Sequence, residues 1–128
     1  MIVNLTQHPA SPEQRAAGVV DLPEADLPRL RELLTFDVPP SDCELWVRAH
    51  QLALMAASMC AGEPHALRRV MCGGAPFLME VLARYLRDLG MRPCYAFSRR
   101  ESVEVADPDT GAVTKRSVFR HLGFVDPT

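Results

Sequence analysis

The sequence predicts an α/β fold: a single Rossmann-like domain over residues 1–128, with a mainly parallel sheet flanked by helices and a C-terminal β-hairpin. Three observations carry that expectation. An apolar, strand-like run at 66–72 passes through Gly73-Gly74 into a helical pattern, which returns through Arg92-Pro93 to a second strand-like run at 94–98. Strand, helix of about four turns, strand is a βαβ unit, whose strands pair in parallel. A third branched apolar run opens the chain at 1–6, and three helical segments connect it to the rest. Alternating runs at 102–106 and 112–118 flank Asp107-Pro108-Asp109-Thr110-Gly111, with Pro in the turn and Gly closing it, which predicts a hairpin over about 102–118.

Each element has local chemistry behind it. Ser11-Pro12-Glu13-Gln14 has Ser as N-cap, Pro at the first helical position and Gln at the reciprocal capping position. The helix it starts is brief, because Gly18 follows. Residues 19–23 read as a connector or a short extended piece. A second helix opens near Asp26, with Leu27, Leu30, Leu33 and Leu34 on one stripe, and Pro39-Pro40 end it. Ser41-Asp42-Cys43-Glu44 is another capping box, launching a helix to about Ala61 whose alanines and methionines suit close core packing. The helix after the glycines carries Phe77, Leu78, Val81, Leu82, Tyr85, Leu86 and Leu89, with Gly90 placed to end it in a left-handed conformation. The tail at 119–125 either extends the second hairpin strand or turns back onto the domain.

Composition excludes several classes. Apolar residues make up 48% and charged residues 23% of 128, an ordinary globular balance. A net charge of −2 argues against a general nucleic-acid coat, so no bulk nucleic acid is expected as partner. The four cysteines are scattered, with no C-x-x-C pair and no His at finger spacing, which fits neither a zinc site nor a disulfide framework. Cys60, Cys72 and Cys94 are expected as buried free thiols. No run has the pattern of a signal peptide or membrane span, so a cytoplasmic protein with no membrane partner is expected.

In an open parallel sheet, ligands bind outside the carboxyl ends of the strands. The first strand ends in Asn4, Thr6, Gln7 and His8, the second at Gly73-Gly74, and the third in Ser98, Arg99, Arg100, Glu101 and Ser102. Parallel strands bring these groups to one rim, where an amide, a hydroxyl, an imidazole, a glycine turn and guanidinium groups suit phosphate and a polar heterocycle. Neighbouring residues in extended chain point opposite ways, so one of Arg99 and Arg100 is expected to face the rim. Glu101 fits a salt bridge to an arginine as well as a catalytic base, and the glycine joint alone fits a plain turn. Arg120 and His121 join the rim if the hairpin folds over it. With one carboxylate, Glu101, and no group at ligand spacing, the rim predicts no metal and no cofactor.

Four runs carry a resemblance: Asn4-Leu5-Thr6-Gln7-His8-Pro9, Gly73-Gly74-Ala75-Pro76, Tyr95-Ala96-Phe97-Ser98-Arg99-Arg100-Glu101-Ser102, and Val118-Phe119-Arg120-His121-Leu122-Gly123-Phe124. Together they resemble an uncharacterised family of small bacterial and phage proteins. More distantly, the order of elements is similar to the small CRISPR-associated Rossmann-like proteins that bind or cleave cyclic oligoadenylate messengers, the ring nucleases. In some of those the first strand also ends in a polar run with His-Pro. The resemblance implies metal-independent cleavage, in which a ribose 2′-hydroxyl attacks the adjacent phosphate. Ser98, Arg99 or Arg100 and the Gly73-Gly74 N–H groups would hold the phosphate, and His8 or His121 would move a proton. The helical insertion between the first two strands is long for that group. A homodimer would suit a symmetric cyclic ligand. The rival expectation is a non-enzymatic phage or mobile-element accessory protein that binds a host protein through Arg99, Arg100 and Arg120.

Overall fold

A computed structural model describes residues 1–127. Five strands form one sheet: β1 (Ile2–Leu5), β2 (Val19–Asp21), β3 (Arg69–Cys72), β4 (Arg92–Ala106) and β5 (Val113–Val125), in the order β2-β1-β3-β4-β5. The pairs β2·β1, β1·β3 and β3·β4 are parallel, and β4·β5 is antiparallel. The fold is therefore α/β with a mostly parallel sheet, and the first strand runs in the expected sense. The helices are α1 (Pro12–Ala16), α2 (Leu27–Leu34), α3 (Asp42–Cys60) and α4 (Pro76–Asp88).

The two sheet faces are covered unequally. Val3, Leu5, Val70 and Cys72 pack with Leu30, Leu33 and Leu34 of α2, Leu52 and Ala56 of α3, and Leu78, Leu82 and Leu86 of α4 in the main core. The other face carries a small cluster of Ile2, Val19, Met71 and Cys94, closed by Ala10 and by Phe124 of β5. Arg69 holds that end of β5: its guanidinium lies 5.3 Å from the Phe124 ring centroid and bonds both Asp126 oxygens at 2.8 Å.

The local signals work as expected, except that the second capping box is only half formed. At α1 the box is reciprocal, Gln14 N–H donating to Ser11 Oγ at 3.1 Å and Ser11 N–H to Gln14 Oε1 at 3.0 Å. At α3, Ser41 Oγ accepts from Glu44 N–H at 3.1 Å, but the Glu44 carboxylate turns to Arg48 at 2.8 Å instead of back to the cap. After α4, Gly90 N–H reaches Arg87 O at 3.0 Å and Met91 N–H reaches Leu86 O at 2.8 Å, the paired bonds of a Schellman end, with Gly90 at φ +80°. Cys60, Cys72 and Cys94 are buried free thiols.

Of the two alternatives for 19–21, the short extended piece holds: it is an edge strand. Three expectations change. The second strand, expected over 66–72, starts only at Arg69, because His65–Leu67 forms a 3-10 turn before it. The strand expected at 94–98 and the first hairpin strand are one continuous β4. The hairpin expected over about 102–118 is much longer, pairing from Tyr95↔Val125 to Ala106↔Val113, so the tail extends it. Because β3 stops at Cys72 while β4 continues from Tyr95 to Ala106, the hairpin projects about 35 Å beyond the carboxyl rim.

Candidate functional site

The rim is organised by one buried polar side chain, Asn4, 3% exposed at the end of β1. Its Nδ2 donates to Asp21 Oδ1 at 2.8 Å and to the His8 carbonyl at 2.9 Å. Its Oδ1 accepts from Thr6 N–H at 2.9 Å and from the Thr6 hydroxyl at 2.7 Å. All four hydrogen-bonding positions of the amide are spent inside the protein. Asn4, expected among the ligand-binding residues, therefore shapes the 6–9 loop that presents Thr6 and His8.

Asp21 is the second anchor. Its Oδ1 also accepts from Ala10 N–H at 3.0 Å, and its Oδ2 from Arg15 at 2.7 Å. Burial by itself would raise this carboxyl, but hydrogen bonds from Asn4, Ala10 and Arg15, with the Arg15 charge, hold it below its usual range. A carboxyl depressed by folding contributes stability above its unfolded pKa, and that contribution is lost as pH falls through the folded value. Thermal melts from pH 7 to pH 3 should show the advantage of the native chain over Asp21→Asn shrinking below about pH 4. A gap independent of pH would mean that the charge of Asp21 does not matter.

Beside this loop lies a groove of about 400 Å³, lined by Thr6, His8, Pro9, Gln14, Met71, Cys72, Gly73, Tyr95 and Ala96. It sits at the carboxyl ends of β1 and β3 and the base of the projecting hairpin, and its size is that of a small-molecule site. A smaller hollow of about 50 Å³ under Asn4, Thr6, Gln7 and His8 is too small for a nucleotide. Gly73 allows a close approach: a Cβ there would stand 3.1 Å from Thr6 Cγ2, which would have to give by a few tenths of an ångström. Gly74 turns toward Met79 and Leu34, so the glycine joint gives the groove Gly73 alone. Gln7 reaches away to Thr35 Oγ1 at 3.4 Å. Burial pushes the Cys72 thiol up to about 12, which removes it as a nucleophile at neutral pH.

The remaining expected residues lie on the hairpin, outside that groove. A register shift between Phe97 and Ser98 leaves Leu122 unpaired on β5, while β4 alternates without a break. Ala96, Ser98 and Arg100 therefore share the face of Met71 and Cys94, with Ser98 about 7 Å and Arg100 about 13 Å along the strand from Ala96. His121 pairs with Ser98 on that face, stacks edgewise on Phe124 at 4.8 Å, and keeps a buried Nδ1 with no hydrogen-bond partner. Arg100 lies 5.8 Å from the Phe119 ring centroid.

Arg99, Glu101 and Arg120 occupy the opposite face. Arg99 meets Glu101 Oε1 at 3.0 Å and Arg120 meets Oε2 at 3.0 Å, so both carboxylate oxygens are engaged. Glu101 is a clamp between two arginines, the salt-bridge alternative among its two expected roles. Sequence reasoning missed Asp21 and Gln14; the capping box identified Gln14 as a structural residue but carried no sign that it also lines a groove. Among the described residues, no group of three or more His, Cys, Asp or Glu side chains is placed to hold a metal ion, and no helix is long and apolar enough to cross a membrane.

No curated protein matches the chain, and no solved structure does. The sequence profile described as the Uncharacterized protein MJ1673 family matches residues 1–125, nearly the whole length over which the rim and hairpin are built, and the chain belongs to that family.

Proposed function

We propose that the protein binds a nucleotide or other phosphorylated small ligand in the groove at the carboxyl ends of β1, β3 and β4, and that it cleaves a cyclic oligonucleotide there without a metal. The observation that carries the reading is the convergence of Thr6, His8 and Gly73, from two separate strand ends, on one groove of about 400 Å³. Ser98, His121 and Arg100 continue the same face of β4 outward and supply a hydroxyl, an imidazole and a guanidinium for phosphate. Arg99 is assigned no phosphate, because Glu101 already engages it.

The proposed reaction uses these groups as follows. The 2′-hydroxyl of one ribose attacks the adjacent phosphorus and the P–O5′ bond breaks, leaving a 2′,3′-cyclic phosphate and a free 5′-hydroxyl. His8 takes the proton from the attacking hydroxyl, and the leaving oxygen is protonated by His121 or by water. Arg100 and Ser98 stabilise the charge that builds on the phosphate. A Rossmann-like, ring nuclease-like protein would work in this way, and a homodimer would present two such grooves to a symmetric ring.

The test is calorimetric titration and product analysis with cyclic oligoadenylates and mononucleotides in the presence of a chelator. Binding is expected, with turnover that His8→Ala lowers by about 10²–10⁴-fold. Neither binding nor turnover across the panel would sink the proposal. A second reading, an accessory protein of a phage or mobile element that binds a host protein, is favoured by the hairpin. Phe119 is 73% and Phe97 55% exposed, with Arg99, Arg100 and Arg120 beside them. Under it, Arg99→Ala with Arg100→Ala abolishes partner capture while nucleotides leave the melting temperature unchanged.

A further inference from the structure

We infer that two copies of the chain join edge to edge through β4, antiparallel and centred on Ser102, with Arg100 of each copy paired to Glu104 of the other. The inference says how the projecting hairpin is completed, and it holds whatever the groove binds.

The starting point is a row of backbone groups with no strand beside them. In β4 the even-numbered residues turn N–H and C=O away from β5. Arg92 N–H donates to Arg68 O, just before β3, at 2.9 Å, whereas Asp107 N–H donates across the hairpin to Ala112 O at 2.8 Å. The last β3 partner of β4 is Met71, opposite Cys94, which sets Gly73 beside Ala96. Past that point no strand flanks β4 on this side, and Ser98, Arg100, Ser102, Glu104 and Ala106 are all exposed. A two-stranded ribbon by itself is marginal in water, and a third strand is one of the ways it becomes stable.

Symmetry and charge name the occupant. A two-fold axis perpendicular to the sheet sets a strand antiparallel to its own copy and keeps like faces together, so one residue lies at the centre of each register. Within 99–104, centring on Arg99, Arg100, Glu101 or Glu104 sets that charge against itself. Centring on Val103 pairs no charges. Centring on Ser102 sets Arg100 against Glu104 twice and places no like charges opposite each other. Ser102 is also the midpoint of the free edge. That register therefore uses the whole edge, Ser98 opposite Ala106, and makes about ten backbone hydrogen bonds across the axis. Both side chains are available: the ion pairs of the hairpin join Glu101 to Arg99 and Arg120, and leave Arg100 and Glu104 without an ionic partner among the described residues. A carboxylate engages only part of a guanidinium's donor fork, so Arg100 keeps donors for a ligand. The outer edge of β5 offers a second copy nothing comparable, since Val113–Val125 holds Lys115, Arg116 and Arg120 and no carboxylate.

Sedimentation equilibrium from about 1 μM to about 1 mM protein should show twice the mass of one chain at the upper end. Amide exchange followed by NMR should find Arg100, Ser102 and Glu104 N–H slow in the dimer and fast on dilution, with Val103 and Val105, turned to β5, changing less. Glu104→Arg sets arginine against arginine and should weaken the dimer at least about 100-fold. Arg100→Glu combined with Glu104→Arg swaps the pair and should restore it. Unchanged amide signals from β1 and β3 verify the fold of each variant. A monomer at every concentration overturns the inference and leaves the edge to an extended segment of another protein. A dimer that ignores Glu104→Arg, is not restored by the swap, or leaves the Ser102 amide unprotected uses another surface and overturns it equally.

Discussion

Replacing Asn4 by alanine is expected to cost about 2–3 kcal/mol of stability, a loss of about 10 °C in melting temperature for a chain of this size. The largest part comes from the groups left behind. Thr6 N–H loses its acceptor, and the Thr6 hydroxyl keeps only the His8 carbonyl. Asp21 Oδ1 keeps only Ala10 N–H. The isosteric change Asn4→Asp should be worse, about 3–5 kcal/mol near pH 7, because it sets a carboxylate oxygen where the amide now donates to Asp21 Oδ1 at 2.8 Å and the His8 carbonyl at 2.9 Å. Crowded by acceptors, the new carboxyl would have a raised folded pKa, so its penalty should shrink as pH falls. Urea unfolding of both variants at pH 7 and pH 5 is the measurement. Equal stability of Asn4→Ala and the native chain would show that the loop needs no buried amide to hold it.

The second large effect is at Gly90. Alanine there should cost about 2 kcal/mol, from two separable sources. A left-handed backbone at φ +80° costs any L side chain about 1 kcal/mol relative to glycine. In addition, a Cβ would stand 2.7 Å from His65 Nδ1, so the imidazole that now rests on the glycine must move. Gly111 in the hairpin turn separates the two: its φ is +70°, but nothing lies within 4 Å of its Cβ position. Gly111→Ala should therefore cost about 1 kcal/mol, the conformational part alone. His65→Ala combined with Gly90→Ala should recover the difference. Equal costs at the two glycines would show that His65 yields freely.

These two sites differ in how far they were legible. The end of α4 was readable from Gly90 alone, because a Schellman end depends on residues within one helical turn of each other. The same holds for the Ser11 and Ser41 caps and the amphipathic stripe of α2. The sense of β1 was only an expectation from its helical connection to the sheet, and the parallel pairing with β2 and β3 decides it. β2 was legible only as one of two alternatives, because three residues are too few to show a period. The continuity of β4 escaped for a different reason. Ser98-Arg99-Arg100-Glu101 is solvated on both faces in a projecting ribbon, so it carries no apolar alternation and reads like the end of a strand.

By itself, then, the chain determined the elements with local causes, because caps, turns and crossovers are decided by neighbours in sequence. Of the polar strand ends expected at one rim, those of β1 and β3 meet at the groove, while Ser98 to Ser102 ride outward on β4. Only the tertiary structure decided which of those polar groups are free. Asn4 is spent on Asp21, 17 residues away, and Glu101 on Arg99 and Arg120. Arg100 falls on the face of Cys94 and Ala96 and Arg99 on the other, because β4 continues unbroken past the expected strand end. The Gly73-Gly74 joint divided as well, one glycine meeting Thr6 and the other meeting Leu34 and Met79. A side chain's type states which hydrogen bonds and charges it can offer, but what remains for a ligand depends on partners brought from elsewhere in the chain.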